Sequence, residues 1–186
     1  MKKTFLLGLD NNQLSGTLPT ELGGMDLWHA LMLNSNEFSG TIPTEYGLFQ
    51  NLPVAFNLHD NPSLTGTIPT ELGQLTDVYN FQIHNDNLSG SLPSELGNLS
   101  SLGLLLLANN SFTGTIPNEM NNLWMSLYHV NLAGNPSLSG MIPEALCNIE
   151  GTCVGFIDAP CELMNGLSFD CGTNGLCGCN CSCSSN

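Results

Sequence analysis

Apolar residues recur along this chain in a fixed figure. It is clearest at Leu102, Leu105, Leu107 and Asn110, which spell L-x-x-L-x-L-x-x-N. The L-x-L step alternates apolar with variable positions. It predicts a short strand with Leu105 and Leu107, or Leu31 and Leu33, turned to one side. After each such strand comes a second figure, apolar-Ser/Thr-Gly. It begins at Leu14, Phe38, Leu64, Leu88, Phe112 and Leu138, at intervals of 24 or 26 residues. A proline follows three residues after each Gly, at Pro19, Pro43, Pro69, Pro93, Pro117 and Pro143. Proline fixes φ and lacks an N–H, so it closes this second extended segment. Two residues later stand Glu21, Glu45, Glu71, Glu95 and Glu119, where a carboxylate suits the start of a short helical turn. Each unit is thus a strand, a polar turn, a second extended segment and a helical turn. No such unit can bury its apolar face alone. Repetition at this period predicts a solenoid whose stacked coils share one core.

In a stack, equivalent strands pair side by side as a parallel ladder, and the outward positions line up as columns. The first runs Leu6, Ala30, Ala55, Asn80, Leu104, His129, and the second Gly8, Met32, Asn57, Gln82, Leu106, Asn131. The third runs Asp10, Asn34, His59, His84, Ala108, Ala133, and the fourth Asn11, Ser35, Asp60, Asn85, Asn109, Gly134. The Asn ending each figure (Asn12, Asn36, Asn61, Asn110, Asn135) is expected to satisfy backbone groups where the chain turns. One copy has Asp86 instead. An ionised carboxylate accepts but does not donate, so that rung is expected to be weaker. The two longer copies carry Asn-Pro-Ser-Leu, at Asn61–Leu64 and Asn135–Leu138, which predicts small bulges on the rim.

The L-x-x-L-x-L-x-x-N figure is the leucine-rich-repeat signature. With its L-S/T-G-x-I/L-P extension, the chain resembles the plant-type leucine-rich-repeat family of receptor-kinase ectodomains and polygalacturonase-inhibitor-like proteins. The resemblance covers residues 4 to 150. It implies an α/β solenoid, a right-handed horseshoe with a parallel sheet on the concave face and short helical or 3-10 turns on the convex face. Six repeats are expected over residues 1–150, the first truncated, and a Cys-rich C-terminal cap over 151–186. That tail resembles those of secreted algal, diatom-type leucine-rich-repeat proteins. Met1 to Leu9 begins like a signal peptide, but its apolar run is short and lacks a small-residue cleavage site. Leu7, Leu9, Asn12 and Leu14 are in repeat phase, so the chain is expected to start inside a repeat, without an N-terminal cap.

Composition narrows the partners. The chain has 186 residues, 16 Asp and Glu, and 2 Lys and Arg, for a net charge of −14. Such a surface repels polyanions, so neither nucleic acid nor an anionic membrane surface is an expected partner. The longest apolar run, Leu102 to Ala108, is too short to span a bilayer, so no membrane insertion is expected within this chain. All 8 cysteines, Cys147, Cys153, Cys161, Cys171, Cys177, Cys179, Cys181 and Cys183, lie near the C-terminus. An even count in a tail with little core of its own points to disulfides and an extracellular or cell-surface location. A thiolate metal site in the C-x-C run from Cys177 is the weaker alternative. Four N-x-S/T sequons, at Asn87, Asn98, Asn109 and Asn180, are candidate glycan sites.

No G-x-S-x-G, H-E-x-x-H, P-loop or G-x-G-x-x-G occurs, so no enzyme and no cofactor are expected. The middle repeats present polar residues on the sheet face, and the fifth presents exposed leucines. Asn57, His59, Asp60, Asn80, Gln82, His84, Asn85, Leu104 and Leu106 are the candidate binding residues for a protein, peptide or glycan. His59 and His84 are expected about 4.8 Å apart along the ladder. With Asp60 they make a metal site conceivable, but solvated surface histidines are preferred and no metal is expected. A second row, Thr17, Thr41, Thr67, Ser91 and Thr115, with Ser15, Ser39, Thr65, Ser89, Thr113 and Ser139 beside it, gives the alternative of an ice-binding or surface-adsorbing solenoid. If the tail is oxidised as expected, intact mass will be unchanged by alkylation under denaturing, non-reducing conditions. Several added alkyl groups would refute four disulfides.

Overall fold

In the computed structural model, described for residues 4–25, 27–49, 54–123 and 125–139, every copy folds the same way. The strands in chain order are β1 (Thr4–Gly8), β2 (Ser15–Thr17), β3 (Leu27–Met32), β4 (Glu37–Gly40), β5 (Ala55–Asn57) and β6 (Ser63–Leu64). They continue as β7 (Asn80–Gln82), β8 (Ser89–Ser91), β9 (Leu104–Leu106), β10 (Ser111–Thr115), β11 (His129–Asn131) and β12 (Ser137–Ser139). The odd-numbered strands form one parallel six-stranded sheet in the order β1-β3-β5-β7-β9-β11. Its register pairs Ala30 with Ala55, Ala55 with Asn80, Asn80 with Leu104, and Leu104 with His129. The columns read from sequence are therefore the columns of the sheet. The even-numbered strands form two three-stranded parallel sheets, β2-β4-β6 and β8-β10-β12. Between those, the N–H groups of Asn87 and Ser89 still donate to Leu64 O and Gly66 O at 3.0 and 2.7 Å.

Pro19, Pro43, Pro69, Pro93 and Pro117 each precede a 3-10 turn: Thr20–Gly24, Thr44–Leu48, Thr70–Gln74, Ser94–Asn98 and Asn118–Leu123; Pro143 lies outside the described residues. The turns close when Leu22, Tyr46, Leu72, Leu96 and Met120 donate N–H to the carbonyl three residues back, at 3.1–3.2 Å. Among the described residues no helix is long and apolar enough to cross a membrane. The added residue of Asn61–Leu64 and of Asn135–Leu138 is absorbed in a tight turn, with Leu64 N–H and Leu138 N–H donating to Asn61 O and Asn135 O. The predicted rim bulges are these turns.

One core runs the length of the stack. Leu31, Leu33, Leu58, Leu105 and Leu107 from the sheet face meet Leu72, Leu96 and Met120 from the 3-10 turns, all buried. Phe56 and Phe81 stack in adjacent coils with centroids 5.1 Å apart. A fully buried side chain of this size contributes about 1.5–3 kcal/mol, so continuity of the core dominates stability. Tyr46 takes the place of those turn leucines. It is fully buried, and burial, with Glu21 nearby, raises its hydroxyl far above the ordinary value.

The buried Asn residues link coil to coil. Asn110 Nδ2 donates to Ile83 O of the previous coil at 2.7 Å and to Leu107 O of its own at 3.2 Å, and its Oδ1 accepts Leu88 N–H at 3.0 Å. Asn36, Asn61 and Asn135 repeat the pattern with Leu9 O, Leu33 O and Leu107 O. Asp86 breaks it. Its Oδ1 accepts Asn61 N–H at 2.7 Å, but Oδ2 is buried without a hydrogen-bond partner. Burial, with Asp60 nearby, pushes this carboxyl up to about 8 against the pull of the Asn61 N–H, which favours the protonated acid near neutral pH. The rung still lacks the second coil contact that an amide makes.

On the opposite side, the coils approach at glycines. A Cβ on Gly73 would lie 2.5 Å from Glu95 O, and Gly23, Gly47 and Gly97 face Glu45 O, Glu71 O and Glu119 O in the same way. Two outcomes follow. Asp86→Asn should stabilise the chain at pH 7 by about 1–3 kcal/mol, since an amide carries two donor hydrogens where a protonated carboxyl carries one. A rise of roughly 2–4 °C in Tm per kcal/mol would show it. Gly73→Ala should cost about 2–3 kcal/mol by overpacking against backbone. Gly24→Ala, where nothing lies within 4 Å, should stay within about 0.5 kcal/mol in the same denaturation series.

Candidate functional site

The outward positions of β5, β7, β9 and β11, with the second and third residues after each strand, make one surface. Their backbone order does not stop at the strands. Leu58 N–H donates to Gln82 O at 2.9 Å, and Asp60 N–H to His84 O at 3.0 Å, so the coil spacing is held through the third and fourth columns.

Those columns carry the densest polar chemistry of the surface. The His59 and His84 rings stack face to face, with centroids 4.3 Å apart and planes 12° apart. His59 Nδ1 lies 2.8 Å from Asp60 Oδ2. Asn85 Nδ2 donates to Asp60 Oδ1, and Asn109 Nδ2 donates to Asn85 Oδ1, both at 2.7 Å. This row stands on left-handed backbone, with φ of 59° at Asp60, 59° at Asn85 and 53° at Asn109. Asn and Asp tolerate that region better than other residues with a Cβ, which explains the polar choice. Gly134 ends the row at φ 69°, and a Cβ there would run into the Asn109 amide. Burial works to raise the Asp60 carboxyl. Hydrogen bonds from Asn85 and His59, with the nearby histidine charges, outweigh it and hold the acid below its usual value. Burial and the neighbouring His59 lower the His84 imidazole, with Asp60 opposing, and its Nδ1 is buried without a partner.

The first two columns are mixed. Asn80, Gln82, Leu104 and Leu106 are half-buried, as outward positions should be, while Phe81 and Leu105 between them are fully buried. Asn57 departs from the expectation of an accessible contact. It is 5% exposed, and its Nδ2 lies 3.2 Å from Met32 Sδ of the preceding coil.

Sequence reasoning missed the column just before the strands, which runs Val54, Tyr79, Gly103, Tyr128. Tyr79 and Tyr128 are 47% and 41% exposed, with ring centroids 5.9 Å apart. Gly103 between them is required by close approach, since a Cβ would lie 2.5 Å from Tyr79 and 2.8 Å from Tyr128. Extending the column reading by one residue would have found the two tyrosines. With Leu104 and Leu106 they make an apolar strip along one border of the polar columns.

The Thr17, Thr41, Thr67, Ser91, Thr115 row is exposed. Its companion row is committed to the stack. Ser39, Thr65, Ser89 and Ser139 hydroxyls donate to Gly16, Gly40, Gly66 and Gly114 carbonyls of the preceding coil at 3.1–3.3 Å. Asn87, Asn98 and Asn109 are exposed, with the Asn109 amide held in the row above. Asn180 and the eight cysteines lie outside the described residues.

The Leucine Rich Repeat family model matches residues 6–25 and 101–123. No curated protein matches the chain. Among solved structures, the chain is 30% identical to the plant peptide hormone receptor RGFR1 in complex with RGF2, covering 83% of this chain and 23% of that one, with a TM-score of 0.71. It is 34% identical to the LRR ectodomain of the receptor kinase GASSHO1/SCHENGEN3 from Arabidopsis thaliana in complex with CASPARIAN STRIP INTEGRITY FACTOR 2, covering 78% and 17%, with a TM-score of 0.73. It therefore spans less than a quarter of the length of either receptor chain. A chain of the BIR3–SERK2 complex from Arabidopsis thaliana is 30% identical, with 74% of this chain and 70% of that one covered and a TM-score of 0.62.

Proposed function

We propose that this chain, which belongs to the leucine-rich-repeat family and carries its plant-type repeat, is an extracellular, non-enzymatic recognition module for a peptide or protein segment. The segment lies across the six-strand face. The observation that carries this reading is the strip of Tyr79, Tyr128, Leu104 and Leu106 beside the polar columns. Two exposed aromatics beside a half-buried leucine pair have no folding reason to stand together on a rigid sheet. Aromatic anchors flanked by hydrogen-bonding groups are the usual composition of a protein-binding centre. One similar structure is a plant peptide hormone receptor in complex with RGF2, another is an LRR ectodomain in complex with CASPARIAN STRIP INTEGRITY FACTOR 2, and a third is a complex of BIR3 with SERK2, which supports the same class of ligand. The extracellular setting rests on the cysteine-rich tail and on the ectodomain nature of the relative so named.

Charge narrows the ligand. The described residues include no Lys or Arg, and the whole chain carries −14. A neutral or basic segment is favoured over an acidic one. No comparable observation stands behind a glycan or an ice-ordering surface.

A randomised linear-peptide phage library panned on the immobilised full chain tests the reading. The wild type should enrich a convergent set of neutral or basic sequences. The Leu104→Ser/Leu106→Ser variant should lose at least about tenfold in affinity for those peptides, since each truncated contact at a binding centre costs on the order of 1 kcal/mol or more. Its thermal melt should remain cooperative. Undiminished binding by the variant would overturn the proposed face. An unfolded variant would mean that these leucines belong to the core.

A further inference from the structure

We propose that His59 and His84, oriented by Asp60, bind one borderline divalent transition-metal ion, of the copper(II) or zinc(II) class, on the six-strand face. The inference stands independently of the peptide reading, because it needs only this cluster.

Three observations converge on it. The first is spacing. His59, Asp60 and His84 each offer a ligand atom, and these atoms all lie within 4.8 Å of one another. A tetrahedral ion with metal–imidazole bonds of about 2.0–2.1 Å draws two ring nitrogens to roughly 3.3 Å apart. The rings stack with planes 12° apart, so they must turn out of the stack about their side-chain torsions to aim both lone pairs at one ion. The coil spacing is held by backbone hydrogen bonds on both sides of His59, so only the side chains have to move.

The second is orientation. The Asp60 carboxylate lies 2.8 Å from His59 Nδ1, which selects the tautomer with the proton on Nδ1 and leaves Nε2 with its lone pair. A carboxylate behind an imidazole is the arrangement that fixes metal-bound histidines and raises their basicity. Asp60 is itself held from its other oxygen by Asn85, and Asn85 by Asn109. The whole hydrogen-bonded row therefore ends on the imidazole that would ligate.

The third is the state of His84. Its Nδ1 is buried and has no hydrogen-bond partner, although buried polar nitrogens are nearly always paired. Two imidazoles, one of them backed by a carboxylate, suit copper, zinc or nickel. Calcium and magnesium would demand more oxygen ligands. The field of a chain at −14, with no Lys or Arg among the described residues, draws cations to the surface.

The test titrates the untagged full chain with zinc chloride by calorimetry, and with one equivalent of copper(II) by electron paramagnetic resonance. Saturable binding of one ion is expected, with hyperfine coupling from two imidazole nitrogens in the copper spectrum. His59→Gln and His84→Gln should each weaken zinc binding at least tenfold, and Asp60→Asn by roughly 10–100-fold, as loss of an orienting carboxylate does. His29→Gln, an exposed histidine on β3, should change nothing. The copper spectrum of the wild type reads the ligands without any variant, and a cooperative melt for each variant shows that its fold is kept. Binding undiminished in a His59→Gln/His84→Gln double variant, a sulfur-ligated copper spectrum, or no zinc bound at millimolar concentration would each overturn the proposal.

Discussion

The constraint on which this solenoid rests is the buried carboxamide at the end of each sheet strand. Where the chain leaves the six-strand sheet, several carbonyls and an N–H turn inward with no strand partner. An unpaired buried polar group costs about 1–3 kcal/mol, and each turn holds several. One Asn side chain has two donor hydrogens and an acceptor oxygen, so it serves carbonyls of two coils and one N–H at once. Asn61 does this while wholly buried. No apolar residue can replace it. An acid replaces it only by taking up a proton, which is what burial favours at Asp86.

Because the Asn rungs and the glycine contacts lock coil to coil at two opposite edges, the sheet face between them is a fixed grid. Columns on that grid need not contribute to stability, so their residues are open to chemistry. The grid places His59 against His84 and sets the tyrosines on either side of Gly103. It also brings Asp60, Asn85 and Asn109 within hydrogen-bond reach, although they lie 25 and 24 residues apart in the chain. A recognition surface built this way is rigid, and a ligand meets groups that are already ordered.

The weakest rung and the densest polar cluster adjoin. Asp86 holds Asn61, the residue after Asp60, and follows His84 by two. Third and fourth coils thus meet through an acid-for-amide exchange just where the tight Asn61–Leu64 turn shifts the backbone. Elsewhere the Asn oxygen accepts the N–H two residues beyond the preceding Asn; here Asp86 accepts from Asn61 itself. The added residue moves the usual donor out of reach, and the side chain pairs with the nearest remaining N–H.

The repeat, the inward leucines, the Asn rungs, the proline-led turns and the parallel columns were all legible in the sequence. Each is a local rule restated at a fixed interval, and periodicity alone converts it into a three-dimensional register. That His59 and His84 are neighbours along the ladder was legible for the same reason; that their rings stack was not. The tertiary structure decided what depends on neighbours of unequal size. Asn57 is outward by pattern yet buried. Burial raises the Asp86 carboxyl well above its usual value, which the residue type does not reveal. Tyr79 and Tyr128 meet only because Gly103 lies between them, one coil from each. Alternation along a strand says which way a side chain points; only packing against the coils above and below determines whether solvent or a ligand can reach it.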